Sequence, residues 1–396
     1  MFTAAQDGRH DAGTAAVSLH RGSLGLTRLV LTDFRNYRSA RLDLEPGPVV
    51  LTGPNGAGKT NLLEAVSFLS PGRGLRNARL TEIDRHGSAG GETGWAVAAT
   101  VSTRRGPVAI GTGRIAAAER RAVRIDGETA KGQAALGERL GIVWLTPQMD
   151  RLFVEGPPGR RRLLDRLVLG LDPAHAGRVA AYEQAMRERS RLLRDGPNDR
   201  SWLTALEEVM AEKGVAVAAA RRDAVERLDR ACAGAEGPFP QARLRLDGAA
   251  EAWLDDMPAL AAEDRLKTEL AASRPGDALS GGAGIGPHRS DLAVTHAGKG
   301  VAAETASTGE QKALLISIVL AHARLQRELR GEPPVLLLDE VAAHLDAFRR
   351  EALFAALAAL DGQFWLTGTE AALFAPLRHD ARFLSVADGA LSDTEH

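Results

Sequence analysis

The sequence predicts an α/β fold: a mixed sheet built around a phosphate-binding loop and interrupted by an inserted α-helical lobe. Three observations predict it. Gly53-Pro54-Asn55-Gly56-Ala57-Gly58-Lys59-Thr60 fits G-x-x-x-x-G-K-[ST] between a strand pattern and a helical one. Val335-Leu336-Leu337-Leu338 is a continuous apolar run ending in Asp339-Glu340, as in a parallel strand covered on both faces. Between these motifs the chain turns Ala-, Leu- and Arg-rich, with a helical period.

Bulk properties narrow the function classes. With 396 residues the chain can bury a sizeable core. Hydrophobic content of 44% and charged content of 26% are those of an ordinary globular protein. A formal net charge of −1 leaves no global nucleic-acid footprint, so any DNA contact must use a local patch. There is no apolar run of about 18 residues, which argues against a membrane span. The single cysteine, Cys232, excludes an intrachain disulfide and suits a reducing cytoplasm.

Residues 1–23 are small, polar and charged, and read as a flexible leader rather than a signal peptide. Residues 24–31 alternate as a first strand, and 39–44 return as a second. Such a pair, feeding the strand at 48–52, would put Arg35 and Asn36 beside adenine and ribose as candidate nucleotide contacts. Phe34 and Tyr37 fit an ordinary core equally well. In the loop, the backbone N–H groups of 53–58 would curl around phosphate oxygens at the start of a helix that includes Asn61. Lys59 would reach the β- and γ-phosphates, and the Thr60 hydroxyl would ligate Mg²⁺. A Gly/Pro turn at 69–76 carries Arg73 and Arg76. Short strands follow at 95–97, 108–110, 122–125 and 141–145. Gln148, just after the last, is either a magnesium-side glutamine or a solvated loop residue.

These elements make residues 24–154 the first part of the sheet lobe, 155–275 the helical insert and 276–396 the second part. Candidate helices in the insert are 160–169, 173–194, 199–228 and 250–272. Residues 160–200 hold ten arginines against six carboxylates, either a solvated face or a phosphate-binding ridge. Arg160, Arg161 and Arg162, with Arg73 and Arg76, are the candidate DNA contacts. Prolines, Pro275 among them, argue against one long coiled coil.

In the last third, residues 286–292 read as a turn leading into a strand. Ser307-Thr308-Gly309-Glu310-Gln311-Lys312 opens an apolar helix and makes a second anion site, with Ser307, Thr308, Gly309 and Gln311 as candidate nucleotide contacts. Leu279-Ser280-Gly281-Gly282-Ala283 imitates that signature but lacks its glutamine, and reads as a loop. Asp339 would hold Mg²⁺ through its water shell, and Glu340 would act as general base on the attacking water. Residues 341–346 would carry Asp346 towards a partner subunit. A buried strand at 363–369 ends in Thr367 and Thr369, and a γ-phosphate switch role falls to Thr367 or Thr369.

The loop, the Ser-Thr-Gly-Glu-Gln turn, the Asp-Glu strand end and the trailing Leu345-Asp346 together resemble an ABC-type ATPase head. The chain is similar to the RecF family of bacterial DNA replication and repair proteins. LTDFRNY at 31–37, GPNGAGKTNLLEA at 53–65 and LSPGRGLR at 69–76 carry the likeness, with GPHRSDL at 286–292, STGEQKALL at 307–315 and LLLDEVAAHLD at 336–346. His344, and Gln148 with Met149, depart from the family pattern. The resemblance implies ATP and Mg²⁺ as cofactors and a weak, DNA-stimulated ATPase. It also implies an ATP-dependent homodimer whose two nucleotides each lie between the loop of one subunit and Ser307 and Gly309 of the other. By the same resemblance the dimer would bind single-stranded and duplex DNA at gaps. RecO and RecR would be its partners in placing RecA, in support of the SOS response. Two rival readings are a transporter's ATPase subunit and another SMC-like ATPase that handles DNA ends. Lys59 and Asp339 lie 280 positions apart (339 − 59), too far for a compact transporter ATPase. The prolines tell against the long coiled coil of an SMC protein.

Overall fold

The computed structural model describes residues 24–85, 94–115, 120–196, 200–235 and 237–394, so the leader expected at 1–23 lies outside the described residues. The chain begins with β1 (Gly25–Phe34) and β2 (Tyr37–Asp43), in which Leu29 and Leu31 face inward and Arg28 and Thr32 outward. β3 (Val49–Thr52) is buried throughout and leads through the glycine-rich loop into α1 (Lys59–Ser67). β4 (Trp95–Thr103), β5 (Gly106–Arg114), β6 (Arg121–Ile125) and β7 (Glu128–Thr129) form a meander, followed by α2 (Ala134–Arg139) and β8 (Ile142–Leu145). The helical segment holds α3 (Pro157–Leu171), α4 (His175–Asp195), α5 (Arg200–Ala233), β9 (Ala242–Asp247), α6 (Ala249–Asp256) and α7 (Ala259–Ser280). The chain then runs through β10 (Asp291–His296), β11 (Val301–Ala302), α8 (Thr308–Arg330), β12 (Val335–Leu338), α9 (Ala347–Ala359), β13 (Phe364–Gly368), β14 (Arg382–Ala387) and β15 (Ala390–Asp393).

Three sheets form among the described residues. The central one has the order β15-β14-β3-β13-β12-β8 and is parallel except for β15. An antiparallel sheet, β2-β1-β4-β5-β6-β7, and a small one, β11-β10-β9, complete the set. Alternation along the central strands feeds two cores. Val49, Leu51, Val335, Leu337 and Trp365 join α1 and the antiparallel sheet on one side. Val50, Leu336, Leu338, Phe364 and Leu366 join α3, α5, α8 and α9 on the other. A sheet buried on both faces requires the unbroken apolar runs seen in the sequence.

A third core lies among the helices, with Tyr182, Met210, Trp253, Leu266 and Leu270. α5 has 34 residues, about 50 Å at the rise of an α-helix, and bridges two cores. Its Leu206, Met210 and Val215 belong to the helical core, while Ala224, Val225, Leu228 and Cys232 belong to the main one.

Several expectations need correction. The antiparallel β1–β2 pair does lead into β3, but it lies in a different sheet, in which β1 also pairs with β4. The helix expected at 250–272 breaks at Met257-Pro258, where proline starts α7 rather than extending α6. Pro275 does not stop α7, because Ala271 and Pro275 are both exposed and water can take the freed carbonyl. Leu279 and Ser280 are therefore helical, and only Gly281, in the left-handed conformation, begins the turn.

Candidate nucleotide site

The loop between β3 and α1 is confined on two sides. Gly53 has φ 142°, and a Cβ there would lie 2.2 Å from the Val386 carbonyl oxygen. Gly58 has φ 118°, and a Cβ there would meet Asn36 Nδ2 at 2.5 Å and the Tyr37 hydroxyl at 2.9 Å. Both positions demand glycine for backbone conformation and for space. The Tyr37 hydroxyl donates to Gly58 O at 3.0 Å, and Asn36 Nδ2 donates to Ala57 O at 3.1 Å. Asn61 Nδ2 in turn donates to Asn36 Oδ1 at 2.7 Å. Asn36 thus braces the loop, while Pro54, Asn55 and Gly56 stay exposed at its tip. Lys59 is 4% exposed, and its Nζ donates to Gly53 O at 2.7 Å and Pro54 O at 2.9 Å. Burial lowers its pKa, against the opposing pull of Glu340 and Asp339.

Parallel pairing of β12 with β13, and of β13 with β3, brings three strand ends together beside this loop. Thr60 Oγ1 lies 3.0 and 2.9 Å from the two carboxylate oxygens of Asp339. Thr367 Oγ1 donates to Asp339 Oδ1 at 2.8 Å and accepts the Glu340 N–H at 2.8 Å. Asp339 has its pKa raised, chiefly by burial and further by the Glu340 charge, while the two threonine hydrogen bonds oppose the shift. Glu340 has φ 54°, a left-handed conformation that costs a glutamate energy and points to a functional constraint. Hard oxygen donors on Thr60 and Asp339, next to Lys59, suit Mg²⁺ with a phosphate chain.

The second anion site lies at the start of α8. Ser307, Thr308 and Gly309 are exposed there. A capping box holds the turn, with Glu310 Oε2 accepting the Ser307 N–H at 3.0 Å and its hydroxyl at 2.9 Å. Gln311 is buried and donates to Glu304 O at 3.3 Å and Ala306 O at 2.9 Å, so it shapes the turn rather than facing outward. Gln148 is exposed on the 3-10 turn Pro147–Arg151 that follows β8, and Lys312 reaches Asp150 on the same turn at 3.5 Å. Asp346 caps α9, accepting the Arg349 N–H at 2.8 Å.

Most of the arginines proposed from the sequence turn inward. Glu64 is fully buried on α1 and is paired by Arg35, at 2.9 and 2.8 Å, and by Arg76, at 2.9 Å. A buried carboxylate needs such partners, and Glu64 draws both Arg35 and Arg76, the charge of Arg76 also acting on Asp339. Arg160 makes two bonds to Asp291, at 2.8 and 2.7 Å, and also donates to the carbonyls of Leu152, Phe153 and Glu155. Arg161 donates to Ser290 O at 2.7 Å. Of the five candidates for DNA contact, Arg73 and Arg162 are exposed. The role of Glu64 was missed in the sequence; its signal is an acid on the apolar face of the helix after the loop.

The profile of the RecF/RecN/SMC N terminal domain matches residues 25–381. The chain is 51% identical over 377 residues to the DNA replication and repair protein RecF of Mesorhizobium japonicum, which covers 93% of this chain and 98% of that one. It is 49% identical over 378 residues to the protein of the same name from Brucella suis, with 93% and 96% covered. Among solved structures, its fold matches RecF-ATPrS, a recombination mediator protein in the RecFOR pathway. The TM-score is 0.81 at 22% identity, over 95% of this chain and 100% of that one. An Smc head domain from Pyrococcus furiosus matches with a TM-score of 0.52 at 18% identity, over 94% and 96%. Among the described residues, no helix is long and apolar enough to cross a membrane.

Proposed function

The chain belongs to the RecF family of DNA replication and repair proteins, and from that premise we propose that it is an ATP-gated, DNA-binding dimer of recombinational repair. One observation carries this reading: the Asp339 carboxylate meets Thr60 and Thr367 beside the phosphate loop, where the Glu340 charge also acts on Lys59, while Ser307-Thr308-Gly309 is an exposed helix start. An outward anion site of this kind suits a nucleotide held by a second copy. Relatives described as RecF-ATP and RecF-ATPrS support ATP as the nucleotide.

In this reading the loop N–H groups and Lys59 hold the phosphates, and Thr60 and Asp339 would hold Mg²⁺. Bound there, the ion would offset phosphate charge. Glu340 takes the proton of the attacking water, and Thr367 fixes its backbone. Ser307 and Gly309 of the other subunit cap the terminal phosphate. Closure aligns Arg73 and Arg162 of both copies along DNA at a gap, and slow, DNA-stimulated hydrolysis releases it. RecO and RecR as partners, RecA placement, support of the SOS response and a cytoplasmic location follow from the family.

The test is molar mass by light scattering without nucleotide, with ADP and with ATP, each with and without gapped DNA. A dimer that forms with ATP, persists in Glu340→Gln and is lost in Ser307→Arg is the expected result. A monomer in every condition, or a Ser307→Arg protein that still dimerises with ATP, overturns the shared site.

A further inference from the structure

Ser307 is held by a charge arrangement that reaches outside its own motif. Glu310 Oε2 accepts both the Ser307 N–H and its hydroxyl, while Lys299 forms an ion pair with Glu310 Oε1. Lys299 lies in the turn between β10 and β11. That turn is tight, because His296 O accepts the N–H groups of Lys299 at 3.2 Å and Gly300 at 2.9 Å. From there β11 and the 3-10 turn Ala303–Thr305 lead directly to Ser307. The lysine side chain is 57% exposed and the glutamate 21%, so both lie on the same open surface as the signature turn.

This arrangement poses an electrostatic problem. Lys299 and the Ser307 hydrogen bonds hold the Glu310 carboxyl down to about 2, so it is an anion at neutral pH. A phosphate that reaches Ser307 therefore approaches a hydroxyl already donated to a negative group. Two like charges sharing one donor repel unless a cation stands beside them.

We infer that Lys299 is a positioning residue of the shared nucleotide site. Its ammonium offsets Glu310, lets the Ser307 hydroxyl turn from the carboxylate to the terminal phosphate, and adds positive charge to the face that receives the other subunit's nucleotide. The role rests on the two-chain reading above, and no residue of the Ser-Thr-Gly-Glu-Gln pattern signals it. It also accounts for an acid that would otherwise oppose the anion its own turn must bind.

The experiment titrates ATP into the Glu340→Gln protein and follows dimer formation by light scattering. Lys299→Gln in that background should raise the ATP concentration for half-dimerisation about two- to fivefold, the upper part of the range for one exposed charge pair. Binding of a fluorescent ATP analogue to the monomer should not change. Lys299→Arg should restore dimerisation, and adding Glu310→Gln to Lys299→Gln should recover part of the loss by removing the uncompensated charge. A merely structural lysine would not show that recovery. If the parent dimerises and Lys299→Gln does so at the same ATP concentration, the role of Lys299 is wrong while the shared site stands. A parent that stays monomeric with ATP removes both.

Discussion

At the residue scale, Thr367 carries the most information. Its hydroxyl uses its one proton on Asp339 and its lone pair on the Glu340 N–H, and the residue is completely buried. Thr367→Val keeps shape but leaves a buried N–H and a carboxylate oxygen each short of a partner, at about 1–3 kcal/mol. The backbone that holds Glu340 at φ 54° then loses its tether. ATP turnover should fall about 10- to 100-fold while nucleotide affinity changes little, because the loop contacts are untouched. Thr367→Ser should restore most of the rate. Single-turnover hydrolysis set against nucleotide binding separates these effects, and a Thr367→Val protein with parental turnover would refute the role. The sequence already showed Thr367 at a strand end but not its two partners, since β12 and β13 become neighbours only in the folded sheet. The pairing of Arg35 and Arg76 with Glu64 is hidden from the sequence for a related reason, because these residues meet only in the folded chain.

At the scale of elements, legibility follows the range of the forces involved. The loop and α1 were readable because glycine conformation and helix periodicity are local. The split between α6 and α7 falls at Pro258, a local signal that a run of helical period across 250–272 masks. The passage of α7 through Pro275 depends on the exposure of Ala271 and Pro275 in the folded chain. The helical core adds a feature invisible in sequence. Arg189 is completely buried on α4, binding Glu207 of α5 at 2.9 Å, Asp277 of α7 at 2.7 Å and Leu270 O at 2.7 Å. Arg274 shares Glu207, and Ser273 shares Asp277. Arg189→Met should cost about 3–5 kcal/mol, towards the lower end because those neighbours retain part of the pairing. Hydrogen exchange should quicken in α4 and in the first half of α5. Protection of α1 and β3, and nucleotide affinity, should stay near parental. Unchanged exchange in α4 would mean that packing alone holds these helices.

For the whole molecule, the charge balance decides how DNA can be bound. A net charge of −1 per chain offers no attraction at range, and the Debye length of about 8 Å at physiological salt limits each basic group to its neighbourhood. Arg160 and Arg161 are bonded internally, which leaves Arg73 and Arg162 as the exposed candidates on one chain. In the proposed dimer, two copies aligned by ATP would double that number on one duplex. Affinity for B-DNA falls with salt at a slope of about −0.9 per neutralised phosphate, so the slope counts contacts. Anisotropy of a labelled gapped duplex, titrated at several salt concentrations, should therefore give a slope with ATP about twice that with ADP. Arg162→Ala should shrink both slopes in proportion, because it removes one contact per copy. Equal slopes in ADP and ATP would mean that one copy makes all the contacts. Nucleotide-driven dimerisation would then have to serve something other than the grip on DNA.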